Sequence, residues 1–375
     1  MTTVVGVNLL WMVAGEVGGT EAYLTRLLAA LADRPAAIDY RLFVLPGFAA
    51  AHPDLAARFE TETAPIAGHR RTVRVAAEST WLAGRLRRTG VDVVHHAGGT
   101  VPPTPQPPIL LTVHDIQYLT FPEFFSPTKR RYLAAMVPRS VRRAAVVMVA
   151  TEFVKATLVD RFGTDPDRVV VVPIPAQLAL PAATPAAEVR RRYGLGDRPF
   201  FLYPAITYPH KNHAVLVEAL AQLVDGHPEA LLVLTGGTAS AEPVIEAEIF
   251  RRNLTAHVRR PGRVPAADLE ALFAEAAALV FPSRYEGFGA PVIEAMQRRC
   301  PVIGADATAV PEVADGAALL VDPDDVEGWA AAMATMLEDP ERRRRLIERG
   351  VARTDAFAPD RAAATLEEAY GRALR

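Results

Sequence analysis

The sequence predicts an α/β protein made of two Rossmann-like domains, each built on a parallel sheet, and three observations carry that reading. Short apolar runs alternate with amphipathic stretches along the whole chain, which is the pattern of βαβ units. At 375 residues the chain is too long for one typical domain and long enough for two sizeable cores. Pro173, Pro175, Pro181 and Pro185 interrupt an Ala-rich stretch near the middle; they suppress both helix and sheet, so the linker falls there.

In the first half, strands are expected near Val4 to Leu9, Arg41 to Leu45, Val91 to His95, Ile109 to Val113, Val146 to Val149 and Val169 to Val172. After Thr20, Leu24, Leu27, Leu28 and Leu31 fall at helical spacing, so Gly18-Gly19-Thr20 is a loop feeding a helix N-terminus. In the second half, Phe200 to Tyr203, Leu231 to Leu234, Leu279 to Phe281 and Val302-Ile303 continue the alternation. No shorter repeat is present, which argues against a solenoid. Two such halves facing each other form a cleft, and ligands of open parallel sheets bind beyond the strand C-termini. Gly18-Gly19, His114, Lys211 and Glu286 all follow predicted strands.

Composition excludes several classes. Hydrophobic residues make up 50% and charged residues 22% of the chain, the balance of a globular protein. A formal net charge of -2 gives no case for nucleic acid as a partner. Cys300 is the sole cysteine, so there is no internal disulfide and no Cys-based metal site, and a reducing compartment is favoured. The N-terminus lacks a basic n-region and reads as a first strand, neither a signal peptide nor a membrane span.

The most informative segment runs from Ser283 through Tyr285-Glu286-Gly287-Phe288-Gly289-Ala290-Pro291 into Val292-Ile293-Glu294. A strand end, two glycines and a helix start make a phosphate seat: the backbone approaches a ligand closely, and Pro291 fits the first helical position. Glu286 and Glu294 bracket it. Carboxylates accept hydrogen bonds, so two of them beside a diphosphate seat suit sugar hydroxyls on either side, as in a nucleotide sugar.

This segment resembles the E-x7-E motif of family 4 glycosyltransferases, which have the two-domain GT-B fold. Further stretches recur in the same order: Val17-Gly18-Gly19-Thr20-Glu21, Thr112-Val113-His114-Asp115, Tyr208-Pro209-His210-Lys211-Asn212-His213 and Val233-Leu234-Thr235-Gly236-Gly237. The resemblance covers nearly the whole chain. It implies that Glu294 binds the ribose, Glu286 contacts the donor sugar, and the backbone of Phe288, Gly289 and Ala290 cradles the phosphates. It also implies an acceptor-binding domain over 1–178, a nucleotide-sugar-binding domain over 196–356, and a last helix over about 359–375 packing back on the first domain.

Lys211 is expected at a helix start, where a cation neutralises a diphosphate leaving group. The commoner family pattern places an Arg five or six residues upstream; Ala205 and Ile206 stand there instead. Arg263 and Arg284 are the substitutes to weigh for the second phosphate cation. His114 closes an apolar strand, and the resemblance implies donor-sugar contact for it; the Gly18-Gly19 loop is expected at the leaving phosphate or the acceptor. Asp165-Pro166-Asp167 and Asp322-Pro323-Asp324 imitate a metal-binding D-x-D, but each holds a rigid proline and reads as a turn. No residue is assigned to a metal and no cofactor is expected beyond the donor itself. The basic region of Lys129, Arg130, Arg131, Arg139, Arg142 and Arg143 reads as a solvated helix face, or else as a contact for an anionic membrane or acceptor.

The expected activity is metal-independent hexosyl transfer, retaining by resemblance, from a UDP-, GDP-, ADP- or dTDP-sugar to the hydroxyl of a saccharide, a lipid-linked glycan or a small natural product. The expected location is cytoplasmic, with peripheral contact at the inner face of the membrane as the variant. Two alternatives stay open: a GT-B sugar-nucleotide epimerase or related transferase, and a nucleotide-sugar-binding protein without turnover. A dehydrogenase is disfavoured because no G-x-G-x-x-G follows the first strand.

Overall fold

The computed structural model describes residues 2–15, 18–35, 38–177 and 179–375. The chain divides into two compact units, Met1–Leu178 with Phe357–Arg375, and Ala179–Ala356.

The first unit holds β1 (Thr3–Asn8), β2 (Ile38–Val44), β3 (Glu60–Thr63), β4 (Val93–His96), β5 (Ile109–Thr112), β6 (Val146–Val149) and β7 (Val169–Val171). They form one parallel sheet in the order β3-β2-β1-β4-β5-β6-β7. The chain winds outward from β1 to β3, then returns to lay β4 beside β1. That reversal opens a crevice at the C-terminal ends of β1 and β4. Strands β4, β5 and β6 are buried throughout, as expected of parallel strands covered on both faces. The C-terminal helix Pro359–Ala373 packs against the Gly19–Ala32 helix of this unit. Arg34 Nε donates to Glu367 at 2.8 Å, and the buried Tyr370 hydroxyl meets His95 Nδ1 at 2.9 Å.

The second unit holds β8 (Phe200–Pro204), β9 (Leu231–Thr235), β10 (Val258–Gly262), β11 (Ala278–Phe281), β12 (Val302–Ala305) and β13 (Ala318–Val321). The order β10-β9-β8-β11-β12-β13, again parallel, puts its reversal between β8 and β11. Strands β3, β10 and β13 were not expected from the sequence, and all three lie at sheet edges. An edge strand needs no continuous apolar run: β3 reads Glu-Thr-Glu-Thr, and β10 reads Val-Arg-Arg-Pro-Gly with a register shift between Arg259 and Gly262.

The crevice of the first unit is floored by a buried polar network. Asn8 ends β1 and lies in register with His96 at the end of β4. Its amide donates to Glu78 Oε1 at 2.9 Å and to His96 Nδ1 at 3.0 Å, while its oxygen accepts from the Leu10 N–H at 3.1 Å. His96 Nε2 then donates to Gln106 Oε1 at 2.6 Å, and the network ends there, with Gln106 Nε2 buried and unpaired among the described residues. Glu78 enters from a single π-helical turn, Glu78–Leu82. Burial pushes its carboxyl up to about 7 against the opposing pull of Asn8 and of Arg74 and Arg71. Burial also lowers His96 to about 4 and His95 to about 3.

A carboxyl that holds its proton more tightly folded than unfolded loses stability as pH rises, here from its ordinary 4.5 up through about 7. The neutral histidines act oppositely, costing stability below their ordinary 6.5. Glu78→Gln leaves the histidine slope in place and removes the carboxyl one. Urea unfolding at pH 5 and pH 8 should show the variant gaining on the native protein by on the order of 1–3 kcal/mol between the two conditions. A gap that does not change with pH means that Glu78 is ionised in the folded state.

Candidate active site

The loops after β8 and β11 meet at the reversal of the second sheet. Pro209–Lys211 forms one 3-10 turn, and the next helix begins only at His213, because Asn212 takes a left-handed conformation with φ 56. Lys211 therefore stands not at the start of the helix, as expected from the sequence, but on the turn before it. From there its Nζ reaches Glu286 Oε1 at 2.6 Å. Both side chains are largely enclosed, with 21% and 13% exposure, and the ammonium lies 5.9 Å from the Phe281 ring centroid.

Two further bonds tie the same loops. The Tyr203 hydroxyl donates to the Lys211 carbonyl at 2.7 Å and meets Ser283 Oγ at 3.1 Å. The Arg284 N–H donates to the His210 carbonyl at 2.8 Å. His210 and His213 stay neutral, each lowered to about 4 by burial with Lys211 adding to the effect. Lys211 thus supplies the fixed positive charge of this loop.

The glycine loop follows directly. Gly289 caps the Ala290–Gln297 helix at φ 93, a conformation that disfavours any side chain. The helix starts at Ala290, so Pro291 holds its second position rather than the first; its missing N–H still falls among those a helix leaves unpaired. Phe288 is buried, so its ring packs and its backbone is the part that can meet a ligand. Glu294 sits one turn into the helix and is partly exposed, flanked by buried Val292, Ile293, Ala295 and Met296. The helix dipole and the amides at its start favour an anion in the loop.

Beside it, Gly236 ends β9 at φ 123, and a Cβ there would lie 2.5 Å from the Ala205 carbonyl oxygen. Arg263, exposed, stands just past β10 with its guanidinium close to Gly237. Among the described residues no carboxylate pairs with it. Arg284 differs: it forks onto Asp324 Oδ1 at 2.8 and 2.5 Å. Of the two substitute cations, Arg263 is the one with its charge uncommitted.

Sequence reasoning missed Thr308. Its hydroxyl accepts the Glu286 N–H at 3.0 Å, from a loop after β12 where Thr308 itself takes φ 55. A β-branched residue at positive φ is strained, and such strain concentrates at functional sites. Tyr203 and Ser283 were missed as well. Their one signal was position, a polar group at the end of a buried strand.

In the first unit, Gly18 caps the Gly19–Ala32 helix at φ 68, its carbonyl accepting from Glu21 and Ala22 at 3.1 and 3.2 Å. Val17 of the same motif lies outside the described residues. Glu21 serves the loop itself: its carboxylate accepts from the Gly15 N–H and meets His52 Nε2, both at 2.9 Å. Tyr23 of this helix packs edge-on against His114, centroids 5.8 Å apart. His114 Nε2 donates to the Ala97 carbonyl at 2.9 Å, and burial lowers its pKa from the usual value. It is a neutral ring with Nδ1 left as an acceptor. The two Asp-Pro-Asp segments are turns: Asp165 and Asp322 each accept from the N–H two residues on, at 2.9 Å.

Two doubly wound parallel-sheet units, the second with a cation and a glycine-capped helix at its strand reversal, define a protein of the GT-B glycosyltransferase class. Residues 186–353 match the family model of glycosyl transferases group 1, and residues 17–179 match that of glycosyltransferase family 4. The chain belongs to the family 4 glycosyltransferases. It is similar to O-antigen chain mannosyltransferase B of Escherichia coli, 29% identical over 71% of each chain. It is also similar to D-inositol 3-phosphate glycosyltransferase of Kineococcus radiotolerans, 32% identical over 63% of this chain and 59% of the relative. Among solved structures, Anabaena HepE in complex with UDP and glucose has the same fold, with a TM-score of 0.76, 19% identity and coverage of 99% of this chain and 100% of the other. Among the described residues no helix is long and apolar enough to cross a membrane.

Thr308→Val keeps the branched shape and removes the acceptor from the Glu286 N–H. An unpaired, half-buried amide costs about 1–3 kcal/mol, and chemical denaturation should register a loss of that size. A difference below about 0.5 kcal/mol, the scale of an ordinary surface change, would show that the hydroxyl does not hold Glu286 in place.

Proposed function

We propose that the protein is a retaining hexosyltransferase that moves a sugar from a nucleoside diphosphate sugar to an acceptor hydroxyl without a divalent metal. One observation carries the reading: the Lys211–Glu286 pair at the β8/β11 reversal, beside the glycine-capped start of the Ala290–Gln297 helix. In this reading the diphosphate lies against Lys211, Arg263 and the backbone of Phe288 to Ala290. Glu294 takes the ribose, Glu286 and the neutral His114 take hydroxyls of the transferred sugar, and the Gly18-Gly19 loop meets the phosphate or the acceptor. The glycosidic bond loosens, charge grows on the leaving diphosphate, and the cations stabilise it there; a phosphate oxygen on the same face removes the acceptor proton. The first carboxylate of each Asp-Pro-Asp segment is engaged in its own turn and Asp324 is paired with Arg284, which supports a protein cation in place of a metal. The names of the relatives support a hexose donor and a saccharide or cyclitol acceptor.

Thermal unfolding in the presence of UDP, GDP, ADP, dTDP and their sugar conjugates tests donor binding, since a ligand of the native state alone raises its apparent stability. One nucleotide class should shift the midpoint, and Glu294→Ala should weaken it by about 1.5–3 kcal/mol, the scale of a lost charge-assisted hydrogen bond. No shift with any nucleotide would sink the reading.

Lys211→Ala should lower turnover by on the order of a hundredfold while weakening donor binding far less, because the contact strengthens as charge develops. The assay is donor saturation in the presence of a chelator. A raised donor requirement at unchanged maximal rate would reduce Lys211 to a binding residue. Loss of native activity on chelation, restored by magnesium or manganese, would refute the metal-free route.

A further inference from the structure

The Asp322-Pro323-Asp324 turn after β13 touches both loops that carry the Lys211–Glu286 pair. From the β8 loop, Asn212, the residue after Lys211, donates its side-chain amide to the Pro323 carbonyl at 2.6 Å. From the β11 loop, Arg284, just before Tyr285-Glu286, sets its guanidinium on Asp324 Oδ1, with Nε at 2.8 Å. Each member of the pair thus lies on a loop fastened to the same turn.

The turn is itself held from several sides. Asp322 Oδ1 accepts the Asp324 N–H at 2.9 Å, and Pro323 fixes the backbone between them. The Asp322 carbonyl accepts the indole N–H of the fully buried Trp329 at 3.0 Å. Asp325 caps the Val326–Glu338 helix by accepting the Gly328 N–H at 2.9 Å, and that helix packs on His213–Gly226, the helix that follows Lys211. Asn212 meets two demands at once. It takes the left-handed φ 56 that separates the Lys211 turn from the next helix, and, at 4% exposure, its amide reaches Pro323. Glycine would satisfy the first demand with less strain and cannot satisfy the second, so it is the contact that calls for asparagine.

We propose that the Asp322-Pro323-Asp324 turn is a clamp that positions the donor site: Asn212 holds Lys211, and Asp324, through Arg284, holds Glu286. Asn212, Arg284 and Asp324 are positioning residues that act through Lys211 and Glu286. The inference rests on the reading of that pair as the diphosphate seat, and it gives a turn that imitates a metal-binding D-x-D a different task. Charges fixed in advance need no rearrangement when a diphosphate arrives. A misplacement of about 1 Å is enough to cost on the order of a hundredfold in rate.

Lys129 and Lys155 are the other lysines of the chain, so a carbon-13 lysine spectrum of the full-length protein reports directly on Lys211, assigned by its loss in Lys211→Ala. Paired with Glu286 near the Phe281 ring, Lys211 should give an Hε signal displaced from that of a mobile lysine. Asn212→Gly keeps the left-handed turn, and Asp324→Ala changes an exposed position. Each should move the Lys211 signal toward the mobile value and leave those of Lys129 and Lys155 in place. Asp324→Asn keeps an oxygen for Arg284 and should restore most of the displacement. Calorimetry with inorganic pyrophosphate on the same preparations should show affinity lowered on the order of tenfold in Asn212→Gly and Asp324→Ala, since a seat that must be ordered on binding binds more weakly. A Lys211 signal or a pyrophosphate affinity that either variant leaves unchanged, or an Asp324→Asn protein as impaired as Asp324→Ala, overturns the clamp. A native protein that binds no pyrophosphate overturns the diphosphate reading instead, and the lysine signal then still decides whether the turn holds the pair.

Discussion

The ion pair between Lys211 and Glu286 is the constraint around which the second unit is arranged. Its partners come from loops after β8 and β11, 75 residues apart in sequence. Those strands are neighbours only because the sheet reverses there. Enclosing the pair is costly unless both charges keep partners. Tyr203, Ser283 and the Arg284 amide hold the loops in register, so neither charge needs to search for the other. The pair leaves this site nearly neutral, with the lysine already placed. In the proposed reaction an arriving diphosphate would compete with Glu286 for the ammonium, and a sugar hydroxyl would take up the released carboxylate.

The two units use the same topology in opposite ways. At the reversal of the first sheet, Asn8, His96 and Glu78 form a buried hydrogen-bonded network. It ties β1 and β4 together at the base of the crevice. Charge in that unit stands further out, on Arg71 and Lys129, which are exposed and lack carboxylate partners among the described residues. At the reversal of the second sheet the charges are inside and paired. A preorganised ion pair suits a group whose charge changes during reaction, and exposed cations suit one whose charge is constant.

Much of this was legible in the sequence because central parallel strands are buried on both faces and announce themselves as apolar runs. The strands at the middle of each sheet were located to within two residues, except that β2 begins at Ile38, three residues before the expected Arg41. Edge strands β3 and β10 were not, since a strand with one open side tolerates Glu, Thr, Arg and Pro. The same logic governs the site. Glycine, proline and glutamate at fixed spacing marked the loop before the Ala290–Gln297 helix, whereas Thr308 acts through one hydroxyl contact and Tyr203 through two, to Lys211 and Ser283. A contact made across 22 residues by one hydroxyl leaves no local pattern.

The absent upstream arginine remains the point at which sequence and site differ most. Ala205 and Ile206 stand where a cation was expected, and the backbone there lies against Gly236. The Ala205 carbonyl would come within 2.5 Å of any Cβ at Gly236, so the β8 and β9 loops are pressed together, backbone to backbone. Ala205 accepts this through its own N–H, which donates to Thr235 at 2.9 Å, and Thr207 closes the contact by donating to the Gly237 carbonyl at 3.1 Å. With these loops so close, a second cation has to come from another strand. Arg263 comes from the end of the adjacent edge strand β10 and lies over the same glycine pair. In the proposed donor complex, that position makes Arg263, rather than a residue of the β8 loop, the counterpart of Lys211 across the diphosphate.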